Sequence, residues 1–426
     1  MKRIIGRRLY AVISNQKTVV ILGAGRGQMP IYEICLDLGC RVVFVTPKGD
    51  YPGIGKAEVR YANVMDFEQV LEIAKEVGAD AIISDQLDAG IFSCAFASDK
   101  MGLIGIGPEV AKRFTNKHVM RNEALKAGVA VPRFIAVSTA EEAMKASISF
   151  PVIMKPSDNA SSRGIYMVDG MEELLSHFAE TKSYSSEGVV LLEQFIKGTE
   201  YVVESYTKDY CITNLIIGHS DYFDIPKRFV PKGRVFRDVS VANTYIEKKV
   251  LDANNKLIKS FGLPYGITHG EFIYNHEEDE VYLVEIAARG GGEFICGTLI
   301  PLASGIRANE MMVKHSLGLD YEIPAKHLGK AAAYFSYLLP EGVILSINGI
   351  DEIKKIPGVF DPKFDNVAVG MRTPPIRDKA SRRGPLLVHG DTIEDCYKVR
   401  EEMINRLDIR VKMDDGTIKG IIWDKV

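Results

Sequence analysis

The chain has 426 residues, 46% hydrophobic and 26% charged, enough for about three ordinary domains with cores of their own. A formal net charge of −3 gives no whole-molecule pull toward nucleic acid or a membrane surface. Six scattered cysteines (Cys35, Cys40, Cys94, Cys211, Cys296 and Cys396) form no Cys-x-x-Cys pair, which argues against a zinc site or disulfide framework and for a reducing compartment. Met1 to Tyr10 is basic but leads into no apolar run, and no stretch of about 20 apolar residues occurs. A soluble, cytoplasmic protein without a signal peptide is expected.

Lys17 to Pro47 reads as strand, glycine-rich turn, helix and strand. The apolar run Thr18–Leu22 is followed by Gly23-Ala24-Gly25-Arg26-Gly27-Gln28, a helical stretch from about Met29 to Leu38, and Arg41–Val45. This is a βαβ unit and implies a parallel sheet. A second unit follows, with a helix over Phe67–Val77 and a strand over Ala81–Asp85. The first 110 residues therefore read as a small doubly wound domain. The glycine turn falls short of GxGxxG because position 28 is Gln. It serves as a tight turn as readily as a dinucleotide site, and its helix N-terminus suits an anionic substrate group.

A helical segment, Pro108 to Gly128, contains Asn116-Lys117-His118. From Phe150 the pattern is antiparallel, with short strands, hairpin turns and intervening helices. The last region, about Gly329 to Val426, again alternates strands and turns around one clear helix, Ile393–Arg406.

Four segments carry chemistry. Phe150–Pro156 is an apolar strand ending in Lys155, followed by a small polar loop that includes Ser161, Ser162 and Gly164. Such a loop offers backbone N–H groups and hydroxyls to phosphates, and Lys155 adds a point charge. Val189–Glu200 is a strand running into a linker: Glu193, Gln194, Phe195 and Ile196 offer an apolar slot with a backbone edge suited to adenine, and Glu200 suits ribose hydroxyls. Asp221 to Asp238 holds Lys227, Arg228, Lys232, Arg234 and Arg237 and reads as a mobile basic loop, fit to cap an anionic substrate.

The fourth segment is a hairpin, Gly266–Tyr274 and Val281–Gly292, with a polar turn at Asn275–Glu280. In a symmetric hairpin Glu271 faces Glu285, Ile273 faces Leu283 and Tyr274 faces Tyr282. Directly opposed partners sit roughly 4.5–5.5 Å apart at Cβ. Two carboxylates at that spacing repel unless a cation or proton lies between them. Magnesium, which takes hard oxygens from one or two carboxylates plus phosphates, is the natural cation.

In order, these segments resemble the ATP-grasp superfamily: a lysine at 117, a lysine before a small-residue loop, the Glu-x-Phe-Ile-x-Gly-x-Glu linker, then two glutamates and an arginine on closing strands. Gly-x-x-His-x-Glu (Gly266–Glu271) and Glu-x-x-x-Arg-x-Gly-Gly (Glu285–Gly292) look most like the L-amino-acid ligase branch, with a biotin-carboxylase-like flavour. The resemblance implies an α/β (α+β) architecture. A doubly wound pre-ATP-grasp domain would span 1–110. An ATP-grasp domain over 111–328 would hold the nucleotide between two α+β subdomains, about 111–198 and 199–328. A strand-rich lid would span 329–426.

The resemblance also implies roles. Lys117 and Lys155 would bind ATP phosphates, with Ser161, Ser162 and Gly164 in the phosphate loop. Glu193, Gln194, Phe195 and Ile196 would form the adenine hinge, and Glu200 would hold the ribose. Glu271 and Glu285 would carry Mg²⁺, or Mn²⁺ in its place. Arg289 would hold the acyl phosphate or its carboxylate precursor, His269 would line the substrate pocket, and Arg307 stands where related enzymes carry Asp. Many members have Asn two residues after the second glutamate, where this chain has Ala287, which removes a metal ligand and argues against biotin carboxylase itself.

The expected activity is an ADP-forming carboxylate–amine ligase acting on small molecules, one of them an amino acid. A phosphoribosylglycinamide-synthetase-like or biotin-carboxylase-like enzyme is the alternative within the superfamily. A non-catalytic ATP-binding regulator is the alternative outside it, and an NAD enzyme rests only on Gly23–Gly27. Nucleic acid and membrane partners are not expected; a homodimer is a family expectation.

Overall fold

A computed structural model describes residues 16–158, 164–376 and 378–425. The expected Ser161 and Ser162 contributions lie outside the described residues. Within them, α-helices and β-strands form four sheets.

The N-terminal sheet is parallel, in the order Glu58–Tyr61, Arg41–Thr46, Thr18–Leu22, Ala81–Ile83. All of Thr18–Leu22 is buried, as a central parallel strand covered on both faces must be. Gln28, which spoils the dinucleotide fingerprint, is a structural lock. Its Oε1 accepts from Gly25 N–H at 2.9 Å and its Nε2 donates to Asp85 O at 2.7 Å.

The expected helix over 108–128 is two helices, Pro108–Thr115 and Lys117–Lys126. Asn116 leaves the helical region (φ −100°, ψ 113°), and its side chain accepts from Val119 N–H at 3.0 Å. That N-cap restarts the helix and places Lys117 at its first position.

A four-stranded antiparallel sheet follows, in the order Phe134–Val137, Val190–Gln194, Val152–Pro156, Tyr166–Val168. Helices Ala140–Lys145 and Met171–Ser183 close its core around Met154, Leu174, Phe178 and Leu192.

The largest sheet is antiparallel and has eight strands. Their order is Glu280–Ala287, Gly266–Asn275, Thr199–Lys208, Cys211–Tyr222, Pro231–Asp238, Ala331–Tyr337, Arg383–Gly390, Val359–Phe360. The basic segment expected to be a mobile loop is thus largely strand. Only 223–230 is a connection, because Val235 and Phe236 are core residues that pin the second half. The sheet also runs across the boundary placed between 328 and 329, since Pro231–Asp238 pairs with Ala331–Tyr337.

Helix Tyr245–Phe261, opened by a Thr244/Glu247 capping box, packs on this sheet through Val250, Leu257 and Phe261. A smaller antiparallel sheet, in the order Arg372–Thr373, Gly342–Asn348, Asp408–Lys412, Ile418–Lys419, completes the C-terminal region. Its helix spans Ile393–Arg406, as the sequence predicts. No helix among the described residues is long and apolar enough to cross a membrane.

One core joins the first sheet to the large one. Ile21, Phe44 and Ile83 pack with Ile295, Leu299 and Met311, and these with Tyr206 and Phe236. The segment after strand Ala81–Ile83 is thereby held against the segment after the glutamate hairpin.

Candidate active site

Glu271 and Glu285 are direct cross-strand partners. The other two expected pairings shift: Phe272 faces Leu283, Ile273 faces Tyr282 and Tyr274 faces Val281. The cause is a β-bulge opposite the step from Glu271 to Phe272, which leaves Val284 as the extra residue. Without it Leu283 and Glu285 would point the same way. With it Leu283 joins the core beneath helix Tyr245–Phe261 while Glu285 turns to Glu271. The bulge is anchored from outside: Val284 O accepts from Arg121 Nη2 at 2.6 Å, and Leu283 N–H donates to Ala130 O at 2.9 Å.

Each glutamate is partly satisfied. Glu271 Oε1 takes Arg234 Nη2 at 2.5 Å and His269 Nε2 at 3.2 Å; Glu285 Oε1 takes Lys117 Nζ at 2.9 Å. The second oxygen of each has no partner among the described residues. Burial would raise the Glu271 carboxyl, but Arg234 and His269 hold it well below the usual range. Two opposed carboxylates, each with an open oxygen, fit a hard divalent cation. No group of three His, Cys, Asp or Glu side chains gathers to hold a metal among the described residues, and Ala287 is buried opposite His269. The remaining ligands would be water and phosphate, as Mg²⁺ accepts.

His269 Nδ1 meets Glu204 in a short contact, and its Nε2 faces Glu271. Burial would lower the imidazole, yet Glu204 and Glu271 raise it above its ordinary value. Arg234 Nη1 also lies 3.2 Å from Nε2, and Arg234 Nη2 donates to Glu271 Oε1 at 2.5 Å.

The two lysines occupy different settings. Lys117 reaches the hairpin through Glu285. Lys155 is buried against Glu193 at 2.6 Å, and Arg121 donates to the same carboxylate through Nε at 3.0 Å and Nη2 at 3.3 Å. Burial pulls Lys155 down to about 8. Burial would raise Glu193, but Arg121 and Lys155 hold it at about 2.

The Glu193 carboxylate therefore points into an ion cluster. In the segment expected to be the hinge, the N–H groups of Gln194 and Phe195 donate to Arg133 O and Pro151 O. Ile196 is buried, and Phe195 stacks on Phe229 with centroids 6.0 Å apart. Glu200 stands inside strand Thr199–Lys208, with Ser220, Tyr222 and Arg234 on its two oxygens. Gly164 sits at φ 68°, where a side chain would meet Tyr184 at 2.6 Å.

Arg289 is gripped by Asp88, Nε to Oδ1 at 2.8 Å and Nη2 to Oδ2 at 2.9 Å. Two of the three glycines after it are needed for close approach. A Cβ at Gly290 would fall 2.5 Å from Cys296, and one at Gly291 2.3 Å from Glu204 Oε1; Gly292 has open space. Their amides are used: Gly290 N–H donates to Asp85 at 2.7 Å and Gly291 N–H to Glu204 at 3.1 Å. Arg307 is not drawn in. It is half-exposed and pairs with Glu310 one helical turn on.

A cavity of about 180 Å³ lies beside this turn, with Arg26, Gly27, Gln86, Glu293 and Phe294 among its walls. Gln86, Glu293 and Phe294 all have positive φ (53°, 52° and 65°), a conformation that non-glycine residues adopt at a cost.

Sequence reasoning missed Glu204, Arg121, Asp85 and Asp88. Glu204 had a signal: it lies four residues after Glu200 and so shares its face of a strand. Asp88 had none, since its partner is 201 positions away.

In the described arrangement the glutamate hairpin forms one edge of the large antiparallel sheet. Residues 148–298 match the ATP-grasp domain model, and residues 336–412 match the L-amino acid ligase C-terminal domain 2. By these matches the chain is similar to ATP-grasp carboxylate–amine ligases. It is 29% identical over 245 residues to alanine–anticapsin ligase of Bacillus subtilis, covering 53% of this chain and 51% of that protein. It is 26% identical over 305 residues to the L-arginine-specific L-amino acid ligase of Bacillus subtilis, covering 68% and 71%.

The first of these relatives is matched over only about half its length, as is an uncharacterised Sinorhizobium fredii protein matched over 54% of its length. Among solved structures, L-amino acid ligase from Bacillus licheniformis superposes with TM-score 0.79 at 18% identity, over 93% of this chain and 99% of that one. Phosphoribosylglycinamide synthetase from Anaerococcus prevotii gives 0.72 at 23%, over 93% and 100%. At these identities the superpositions establish the fold.

Proposed function

We propose that the protein is an ATP-dependent, ADP-forming carboxylate–amine ligase that joins an amino acid to a second small substrate through an acyl phosphate. The observation that carries this is the opposed pair Glu271 and Glu285, each with an open oxygen, with Lys117 on one of them. A carboxylate is a poor acyl electrophile; phosphorylation by ATP makes it a good one, and an amine then displaces phosphate. Such a reaction needs positioning and charge neutralisation, with no protein nucleophile.

Each residue then has a task. Glu271 and Glu285 would hold Mg²⁺, which would supply charge neutralisation to the transferring group. Lys117 shares its ammonium between Glu285 and a phosphate. Lys155, softened to about 8, is charged at neutral pH and meets the nucleotide phosphates. The Gln194–Ile196 backbone borders the base. Arg289 holds the substrate carboxylate and then its acyl phosphate. His269, held between Glu204 and Glu271, orients the Glu271 carboxylate. Glu200, with both oxygens engaged, supports Arg234 in this reading and serves the ribose only by exchanging a partner.

The C-terminal match favours a ligase of amino acids over the purine-pathway and biotin-carboxylase readings. The relatives named as amino acid ligases point the same way. A cytoplasmic setting fits six cysteines that are all free thiols.

Purified protein, ATP, Mg²⁺ and pooled amino acids and small carboxylates provide the test. Substrate-dependent ADP and phosphate are expected. AMP and pyrophosphate would overturn the mechanism.

A further inference from the structure

The residue that grips Arg289 comes from a distant part of the chain. Asp88 opens the short turn Asp88–Gly90 between strand Ala81–Ile83 and helix Ile91–Met101. Its carboxylate forks onto Arg289 Nε and Nη2, and Arg289 Nη1 donates to Gly290 O at 3.0 Å. A guanidinium has five N–H groups. Three are taken, and one N–H on Nη1 and one on Nη2 are left over.

A fork on the Nε side thus fixes the plane of the group and leaves an N–H on each of Nη1 and Nη2 for a ligand. The neighbours place the pair beside the hairpin. Burial works against charge on both partners, but Asp88, Glu285 and Glu204 hold the proton on Arg289, and Arg289, Lys117 and His269 keep Asp88 ionised. Asp85, three residues earlier, binds Gly290 N–H and fixes the backbone on which Arg289 stands.

We infer that Asp88 is a positioning residue, aiming the remaining N–H groups of Arg289 at the reacting carboxylate and its acyl phosphate. This rests on the ligase reading above. It makes the N-terminal parallel-sheet region a working part of the catalytic centre. Asp88→Asn replaces one acceptor of the fork with a donor that faces a donor. A displacement of about 1 Å at a reacting group costs on the order of a hundredfold in rate. Asp88→Asn should therefore lower kcat by ~10- to 100-fold and leave the KM for ATP within about twofold.

The deciding experiment is a double-mutant cycle with Arg289→Ala, read as kcat and KM, together with crystal structures of the wild type and Asp88→Asn. Because Asp88 acts through Arg289, adding Asp88→Asn to Arg289→Ala should cost almost nothing further, and the Arg289 guanidinium should turn from its wild-type plane in Asp88→Asn. If the two losses multiply in full, or if Arg289 keeps its place without the fork, the inference is overturned. If the wild type itself shows no ligase turnover, the ligase reading fails, and the crystal structures still decide whether Asp88 orients Arg289. Should Asp88→Asn lose its cooperative melting transition, Asp88→Glu takes its place in both measurements, since it keeps the charge and moves the fork by one methylene.

Discussion

Two glutamates, each paired with its own lysine, do opposite work. Glu193 is sealed in the protein, and Arg121 and Lys155 together occupy both of its oxygens. Glu285 is 31% exposed at the side chain and commits only one oxygen, to Lys117. The first is a closed ion cluster that ties the helix at Lys117–Lys126 to the small antiparallel sheet. The second is an open one, still able to accept a cation. The difference teaches that the two carboxylates are sorted by how completely they are satisfied: the one with an open oxygen is free to take a cation.

Removing either carboxylate tests that contrast. Glu285→Gln should lower turnover by at least ~10²- to 10³-fold, the loss typical when a preorganised electrostatic group is removed. Its melting transition should move less than that of Glu193→Gln. Near-normal ADP release by Glu285→Gln would remove the metal assignment. Glu193→Gln should instead destabilise the fold by about 3–5 kcal/mol, because two buried cations lose their counter-charge. Denaturant unfolding reads this directly, and a stability unchanged from wild type would contradict a closed cluster.

Arg289→Ala should lower kcat by ~10²-fold and keep ATP affinity, measured by nucleotide titration. A collapse of ATP affinity would make Arg289 a nucleotide ligand instead.

The smallest effect concerns pH. A lysine pulled down to about 8 is charged below that pH and neutral above it, so ATP affinity should fall as pH rises past about 8. The limit is about tenfold per pH unit for one proton. Glu193, held at about 2, stays ionised throughout this range and adds no slope. Lys155→Arg should flatten the profile, since arginine keeps its proton. A profile unchanged by that substitution would take Lys155 out of the phosphate site.

Much of the site was legible in the sequence because its parts are local. Glu271 and Glu285 lie on one hairpin, so spacing brings them close, but the turn-side register alone would set Glu271 against Val284 and the bulge completes the pairing. The bulge at Val284 was also written there. Val281 and Leu283 put odd positions in the core and Ile286 an even one, a change of phase that strands make only by inserting a residue. The split at Asn116 was readable too, as an N-cap residue within a helical run.

What was not legible was long-range. The basic residues of 231–237 read as a loop because charge masked the core pair Val235 and Phe236. Glu193 read as a hinge residue because Arg121, 72 positions earlier, carries no local sign of pairing with it. Asp88 and Arg289 meet only because a shared core brings the first sheet against the turn after the hairpin. No periodicity reports that contact.

The most direct measurement uses the carboxylate substrate found in the product assay, labelled with ¹⁸O in its carboxyl group. If the carboxylate attacks the γ-phosphorus to make an acyl phosphate, one labelled oxygen leaves with inorganic phosphate when the amine attacks. Labelled phosphate appearing in step with the amide is the expected result. Label in AMP, or amide formed with unlabelled phosphate, would contradict the acyl-phosphate route through Glu271, Glu285 and Arg289.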